Sequence, residues 1–409
     1  MRLSRRDALR LGGAGALAVA ASRRRALAAE PIRIGAINPY SGPMALYGTE
    51  VTHGYELAVE KANAAGGVLG RQIALLRGDA ANPQQGISAV EQLAPNVDVF
   101  TGTYLSAVSN AASDAALRHE KVYWDTNALA QELTQRDLPN FIRSGPDAGA
   151  FARGSAETVK GLIAPALGKD LKDLTVWIEH EDSIYGTSIA EAQRALLQAA
   201  GAKIVGMGAH AAIAIDLTDT ILRARRAAPD VFIETGYVPD GNLLLRTARD
   251  QGFAPAATLF VGTGDTPETL SSLGAAFLEG KLVVSYPRPD VAPTYGPGAA
   301  EYADAYRKKF GHEPIAPQGL TGYVGVQMLL EAIAAAGSTE MAKLRAAAAA
   351  MDRPLHSYAT GFGVRFDAHF QNTRALPATI QWQSGRPVTV YPTEAAAPGV
   401  RLVPLSGKS

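Results

Sequence analysis

Six short segments carry the binding chemistry this sequence offers: Tyr47, Thr103-Tyr104-Leu105-Ser106, Thr126-Asn127, Tyr185, Gly236-Tyr237 and Gly264-Asp265. They supply aromatic rings with a hydrogen-bonding tip, small hydroxyls, an amide and one acid. Such a set can hold a small molecule that has an apolar body and a polar head. A helix predicted to start near Ser106 adds unpaired backbone N–H groups, a seat for a carboxylate or carbonyl oxygen. Asp265 is placed to hold an ammonium or other donor from the opposite wall. Bond-breaking machinery is not evident: there is no G-x-S-x-G elbow, no H-E-x-x-H helix and no dinucleotide fingerprint after the first strand. Glu179-His180-Glu181-Asp182 has metal-ligand residue types, but its place where a strand runs into a loop favours ordinary solvated acids. A metal-dependent enzyme built on that cluster is a remaining alternative. The favoured reading is a protein that is not an enzyme and needs no cofactor or metal.

All six segments lie at the carboxyl ends of predicted strands. Short apolar runs at 32–38, 72–77, 97–101 and 122–126 alternate with helix-period segments at 50–65, 85–93 and 106–119. The pattern restarts with strands at 174–179, 203–207, 231–235 and 258–261 and helices at 188–200, 217–227 and 242–251. Strict alternation implies parallel pairing through right-handed crossovers, hence doubly wound α/β layers with ligand grooves beyond the strand ends. After a further strand at 281–286, helices at 298–310, 318–336 and 341–349 are too poor in strands to form a third domain. They are expected to return to the first unit, and the strands near 363–366 and 380–383 to complete the second. The expected division is 29–146 with 287–357 as the N-terminal lobe, 147–286 with 358–392 as the C-terminal lobe, and 393–409 as an extended surface tail. Several crossings between lobes make a hinge rather than a loose tether.

The 409 residues contain no Cys, which removes disulfide scaffolds, thiolate metal sites and cysteine catalysis. The formal net charge of zero hides an asymmetry. Residues 1–28 hold seven Arg and one acid, so the remaining chain has 32 basic and 38 acidic residues, a net of −6. A mildly acidic body argues against nucleic acid or anionic lipid as the partner. The arginine-rich start reads as an export signal: Arg5-Arg6, an apolar stretch over 11–21 too short to span a bilayer, then Ala26-Leu27-Ala28 as a cleavage site. Paired arginines in this context resemble a twin-arginine signal. Without Cys no lipid anchor can form at the processed N-terminus, so the expected location is the periplasm, free in solution.

At these same residues the chain resembles a known family. Ile34-Gly35-Ala36, Ser41-Gly42-Pro43 with Tyr47-Gly48, Gly54 and Ala58, the run Asn63 to Arg71, Asp79-Ala80 with Pro83, Gly102 with Ser106, Glu132-Leu133-Thr134, Arg143, Tyr185-Gly186, Gly236-Tyr237 and Gly262 with Asp265 resemble the leucine/isoleucine/valine-binding proteins of bacterial ABC importers. The likeness spans about residues 32–385. It implies the type I periplasmic binding fold, two doubly wound α/β lobes joined by a multi-crossover hinge, in a monomer that closes on a small ligand and presents it to an inner-membrane ABC permease. A sensor of the same fold, signalling to a membrane receptor or kinase, is the alternative. The resemblance further implies that Ser106 matches a carboxylate-binding serine, that Tyr47, Tyr185 and Tyr237 match pocket tyrosines, and that Asn127 falls where the backbone meets both ends of an amino acid. Leu129 stands where the amino-acid binders have Thr, and the ammonium-binding acid falls at Gly264 or Asp265. Loss of that hydroxyl removes a charge-assisted bond of ~1.5–3 kcal/mol and adds apolar surface. With Tyr104, Trp124 and Asn127 nearby, the expected ligand is therefore amphipathic or aromatic: amino-acid-like, an amide or an aromatic acid.

Overall fold

The computed structural model describes residues 30–405; the expected leader over 1–28 lies outside the described residues. Two sheets organise the chain. The first comprises β1 (Ile32–Asn38), β2 (Ile73–Asp79), β3 (Val99–Gly102), β4 (Tyr123–Asp125) and β5 (Phe141–Arg143), all parallel, in the order β2-β1-β3-β4-β5. β1 reads Ile-Arg-Ile-Gly-Ala-Ile-Asn, almost continuously buried, as expected of a strand covered on both faces. At Gly35 a Cβ would lie 2.6 Å from the Phe100 ring, so only glycine fits under that neighbour.

The second sheet comprises β6 (Thr175–Glu181), β7 (Lys203–His210), β8 (Val231–Thr235), β9 (Ala257–Val261), β10 (Leu282–Ser285), β13 (Ala378–Gln383) and β14 (Arg386–Tyr391). Its order is β14-β13-β10-β9-β8-β6-β7, antiparallel only at β10-β13-β14. A separate two-stranded ribbon, β11 (Asp352–Arg353) and β12 (Val364–Arg365), packs through Val364 and the neighbouring Phe366 into the core of the first sheet, so the strand expected near 363–366 to complete the second lobe lies with the first. The hairpin β13–β14 turns through Ser384 and Gly385, both at positive φ, as a two-residue loop requires. Pro387 is tolerated because β14 is an edge strand.

The helices that matter for the site are α1 (Ala45–Ala64), α2 (Ser106–Arg118), α3 (Ala148–Thr158), α4 (Ile184–Ala199), α5 (Val238–Asp250) and α6 (Gln318–Ala336). α6 is long and apolar enough to cross a membrane, but most of it is buried here against α1 of the first sheet's lobe. Gly54 and Gly319 form the closest point of that contact: a Cβ on Gly54 would stand 1.9 Å from the Gly319 carbonyl oxygen. Trp124 is fully buried in the same core, edge-on to Phe366, and so does not face the other lobe's groove.

Several elements have no counterpart in the sequence reading, among them β5, β11, α3 and β14. α3 begins at Asp147, whose carboxylate accepts the Ala150 N–H at 2.7 Å, a standard N-cap, but apart from Phe151 its buried face of Ala148, Ala152, Ser155 and Thr158 is small or polar and carries little hydrophobic signal. β14 was hidden by its proline. The tail also differs from a plain surface segment: Ala395 and Leu405 are buried, and Val403 exchanges two hydrogen bonds with the Gln381 side chain, 3.0 Å each.

The chain passes between sheets after β5, after β10 and between β12 and β13. Arg143 joins the first and third passages. Its backbone is bonded to Phe370 and Asn372, and its buried guanidinium donates to Gln371 and to the carbonyls of Ala128 (3.1 Å) and Ala130 (2.8 Å). Replacing Gly54 by Ala is expected to force α1 and α6 apart and lower unfolding free energy by about 2 kcal/mol, read from urea denaturation, with secondary structure retained.

Candidate functional site

In each sheet the strand order reverses at one point, and there the loops leaving adjacent strands diverge and open a crevice. In the first sheet that point lies between β1 and β3; Tyr47 stands in the first turn of α1, which follows β1, and Tyr104 in the loop after β3. These rings stack, centroids 4.5 Å apart and 14° from parallel. In the second sheet it lies between β6 and β8, where Tyr185 in the first turn of α4 and Tyr237 at the cap of α5 have centroids 5.0 Å apart. The two pairs meet across the lobes, where Tyr104 stands edge-on to Tyr237 at 5.9 Å.

Helix starts hold these rings. Ser183 caps α4 and accepts the Tyr185 N–H at 3.3 Å, while the Tyr237 N–H donates to the Asp240 carboxylate at 3.1 Å. Glu181 accepts from Ser183 and from Gly186 N–H at 2.7 Å, completing the cap of α4. The Tyr185 hydroxyl donates to the carbonyls of Gly236 (3.3 Å) and Val261 (3.2 Å), so that residue presents ring rather than hydroxyl. Gly262 makes room for it, since a Cβ there would fall 2.1 Å from the Tyr185 oxygen.

Tyr104, Asn127, Leu129, Tyr185 and Tyr237, with Gly262 and Tyr286, line a cavity of about 10 Å³, room for roughly one water. The lobes are shut directly on each other, side chain on side chain. Tyr286 was missed in the sequence, although it follows a strand as the other tyrosines do; its hydroxyl donates to the Asn127 carbonyl oxygen across the lobes. Burial raises the hydroxyl pKa of Tyr47, Tyr104, Tyr185, Tyr237 and Tyr286 well above the ordinary value, keeping all five protonated.

The remaining expected site residues are placed as follows. The Ser106 hydroxyl oxygen accepts the backbone N–H groups of Leu129 (3.2 Å) and Ala130 (3.1 Å), so it supports the lining loop from behind. The Asn127 side chain turns away, accepting from Thr126 at 2.7 Å and donating to the Gln318 carbonyl at 3.3 Å. Asp265 is fully buried near the Tyr47 hydroxyl, and neither carboxylate oxygen takes a hydrogen bond among the described residues. Burial raises its pKa, opposed by Arg288, whose Nη1 lies 4.0 Å away. The Tyr47 and Thr263 hydroxyls are likewise buried and unbonded. Glu179 to Glu181 do not form solvated loop acids: β6 runs through Glu181, and all three side chains are buried, with Glu179 and Glu181 on one face.

The match to known proteins follows this geometry. Residues 31–385 match the family model for periplasmic binding proteins. The chain belongs to that family. It is 37% identical over 378 residues to the Leu/Ile/Val-binding protein homolog 7 of Brucella suis, covering 92% of this chain and 95% of the relative. Among solved structures, a branched-chain amino acid transporter substrate-binding protein of Streptococcus pneumoniae in complex with isoleucine aligns with TM-score 0.75 at 20% identity, over 90% of this chain and 100% of that one. A solute-binding protein of Rhodopseudomonas palustris in complex with p-hydroxybenzoic acid aligns with TM-score 0.75 at 18% identity, over 88% and 95%. The family is one of two-lobed solute receptors rather than enzymes.

Asp125 ends β4 and pins the lining loop, accepting the Ala128 N–H at 3.0 Å and the Ser109 hydroxyl. Burial pushes its carboxyl up to about 7. An acid whose folded pKa is raised binds its proton more tightly when folded, so the contribution of Asp125 to stability is greatest below the ordinary carboxyl pKa and falls as pH rises to about 7, then levels. Melting temperature measured from pH 5 to 8 is expected to fall, and Asp125→Asn should make that fall shallower.

Proposed function

We propose that this receptor serves an ABC importer, closing on one small amphipathic molecule that is amino-acid-like, an amide or an aromatic acid, and presenting it to an inner-membrane permease. One observation carries the reading: two tyrosine pairs, one at each sheet's switch point, face each other across the lobes. Rings on both walls favour a flat or branched apolar body, and a ligand touching both lobes shifts the hinge toward its shut form by its differential affinity. Tyr47, Tyr104, Tyr185, Tyr237 and Leu129 supply the apolar walls in this reading. Ser106 acts through the Leu129 loop, Asn127 through its backbone, and Asp265 takes the ligand's cationic or donor group.

Relatives of this fold solved with isoleucine and with p-hydroxybenzoic acid mark the chemical range to try. A thermal-shift panel of leucine, isoleucine, valine, phenylalanine, benzoate, p-hydroxybenzoate and small amides is expected to contain a stabilising ligand. Tyr237→Ala should weaken that ligand by about tenfold or more, roughly 1.4 kcal/mol. Asp265→Asn should weaken amine-bearing ligands selectively, and equal loss for ligands without an amine would show Asp265 to be a framework residue. A panel without any stabilising compound would defeat the proposed ligand class.

The proposed route to the periplasm is twin-arginine export directed by Arg5-Arg6, with the processed chain free of a lipid anchor and monomeric. Changing both arginines to lysine is expected to retain the protein in the cytoplasm. Unchanged periplasmic yield in cell fractionation would reject this route.

A further inference from the structure

Behind the Tyr237 wall, four ionisable side chains meet in the interior of the second sheet. Glu179 on β6 lies in register with Glu234 on β8 and with Gly208 on β7; β7 ends at His210, and Asp240 stands in the first turn of α5. Three acids and one base are buried together, and Glu181 lies close by, engaged in capping α4. Three carboxylates at full burial exceed the single positive charge that His210 can supply, which leaves room for a further cation.

The geometry points to a site for one divalent transition-metal ion of the zinc class, held by His210, Glu234 and Asp240. One ligand atom from each lies within 4.8 Å of the others. His210 Nδ1 is 3.1 Å from Glu179 Oε1, and Glu179 Oε2 accepts the Trp177 indole N–H at 3.0 Å. Both ring nitrogens lie at hydrogen-bond distance from carboxylates, Nδ1 from Glu179 and Nε2 from Asp240; a metal ion would take the place of the Nε2 proton while Nδ1–H stays on Glu179, the carboxylate–histidine arrangement that orients metal ligands. His210 Nε2 stands 3.2 Å from Asp240 Oδ2, close to the separation of about 3.3 Å for two ligands on a tetrahedral ion with bonds of ~2.0–2.1 Å.

Glu234 supplies the independent observation. It is fully buried, and neither of its oxygens takes a hydrogen bond among the described residues. The backbone around it is cleared for carboxylates: a Cβ on Gly236 would lie 2.3 Å from Asp240 Oδ2 and 2.4 Å from Glu234 Oε1, and a Cβ on Gly208 2.3 Å from Glu179 Oε2. One imidazole with two carboxylates suits zinc or a neighbouring transition ion better than calcium or magnesium, which demand more oxygen ligands. Because Asp240 also receives the Tyr237 N–H, the ion would stiffen the cleft wall without touching the ligand.

The test uses the full chain, stripped with chelator and titrated with Zn²⁺ by calorimetry, and separately with Co²⁺ followed by visible absorption. Expected are one Zn²⁺ per chain, tetrahedral Co²⁺ bands, and no displacement by Mg²⁺ or Ca²⁺. Glu234→Gln, which keeps the side chain's shape and removes one buried charge, should weaken Zn²⁺ by about tenfold or more and abolish the Co²⁺ bands while circular dichroism stays unchanged. His210→Asn should do the same. Absence of stoichiometric Zn²⁺ in the wild-type protein, or equal binding by Glu234→Gln, overturns the site.

Discussion

The buried guanidinium of Arg143 is the constraint on which the rest of the molecule leans. Taking a cation out of water is costly unless every donor finds an acceptor. Here the acceptors are the carbonyls of Ala128 and Ala130, which bound the loop carrying Leu129, and the Gln371 side chain, which belongs to another passage between the lobes. Satisfying one side chain therefore fixes the lining loop and ties two hinge strands together. Ser106 and Asp125 complete the same loop from the opposite side, so the cleft edge is held by polar groups that do not face the cleft.

On that frame the two lobes repeat one solution. Each sheet reverses its order once, each reversal places two tyrosines at diverging loops, and the pairs oppose one another across the hinge. Rings that contact each other when the lobes are shut give the closed form an attraction of its own, about 0.5–1.5 kcal/mol per aromatic pair beyond area burial. A ligand entering between them exchanges ring–ring contact for ring–ligand contact, so discrimination rests on how much better a guest packs than the opposite lobe does.

Much of this was legible in the sequence. The strand-end rule found Tyr47, Tyr104, Tyr185 and Tyr237 because parallel α/β layers leave little choice about where loops point. The same rule reaches Tyr286, which directly follows β10. What stayed hidden depends on tertiary satisfaction. Nothing local shows that the Ser106 hydroxyl is spent on Leu129 and Ala130, that Tyr185 donates to two carbonyls, or that Trp124 turns into its own lobe's core. The Glu179 to Glu181 stretch differs for a related reason: acids normally end a strand in solvent, but here Glu179 meets His210, distant in the chain, and Glu181 turns back to cap α4.

The packing of α1 on α6 sets the order in which the molecule can be assembled. During synthesis the first sheet and α1 emerge early, yet the helix that covers α1 is among the last elements to leave the ribosome. Until then a broad apolar face has no partner, and long-range docking of this kind is slow and prone to aggregation. A nascent chain of this design therefore carries that face uncovered until α6 emerges and the first lobe can close.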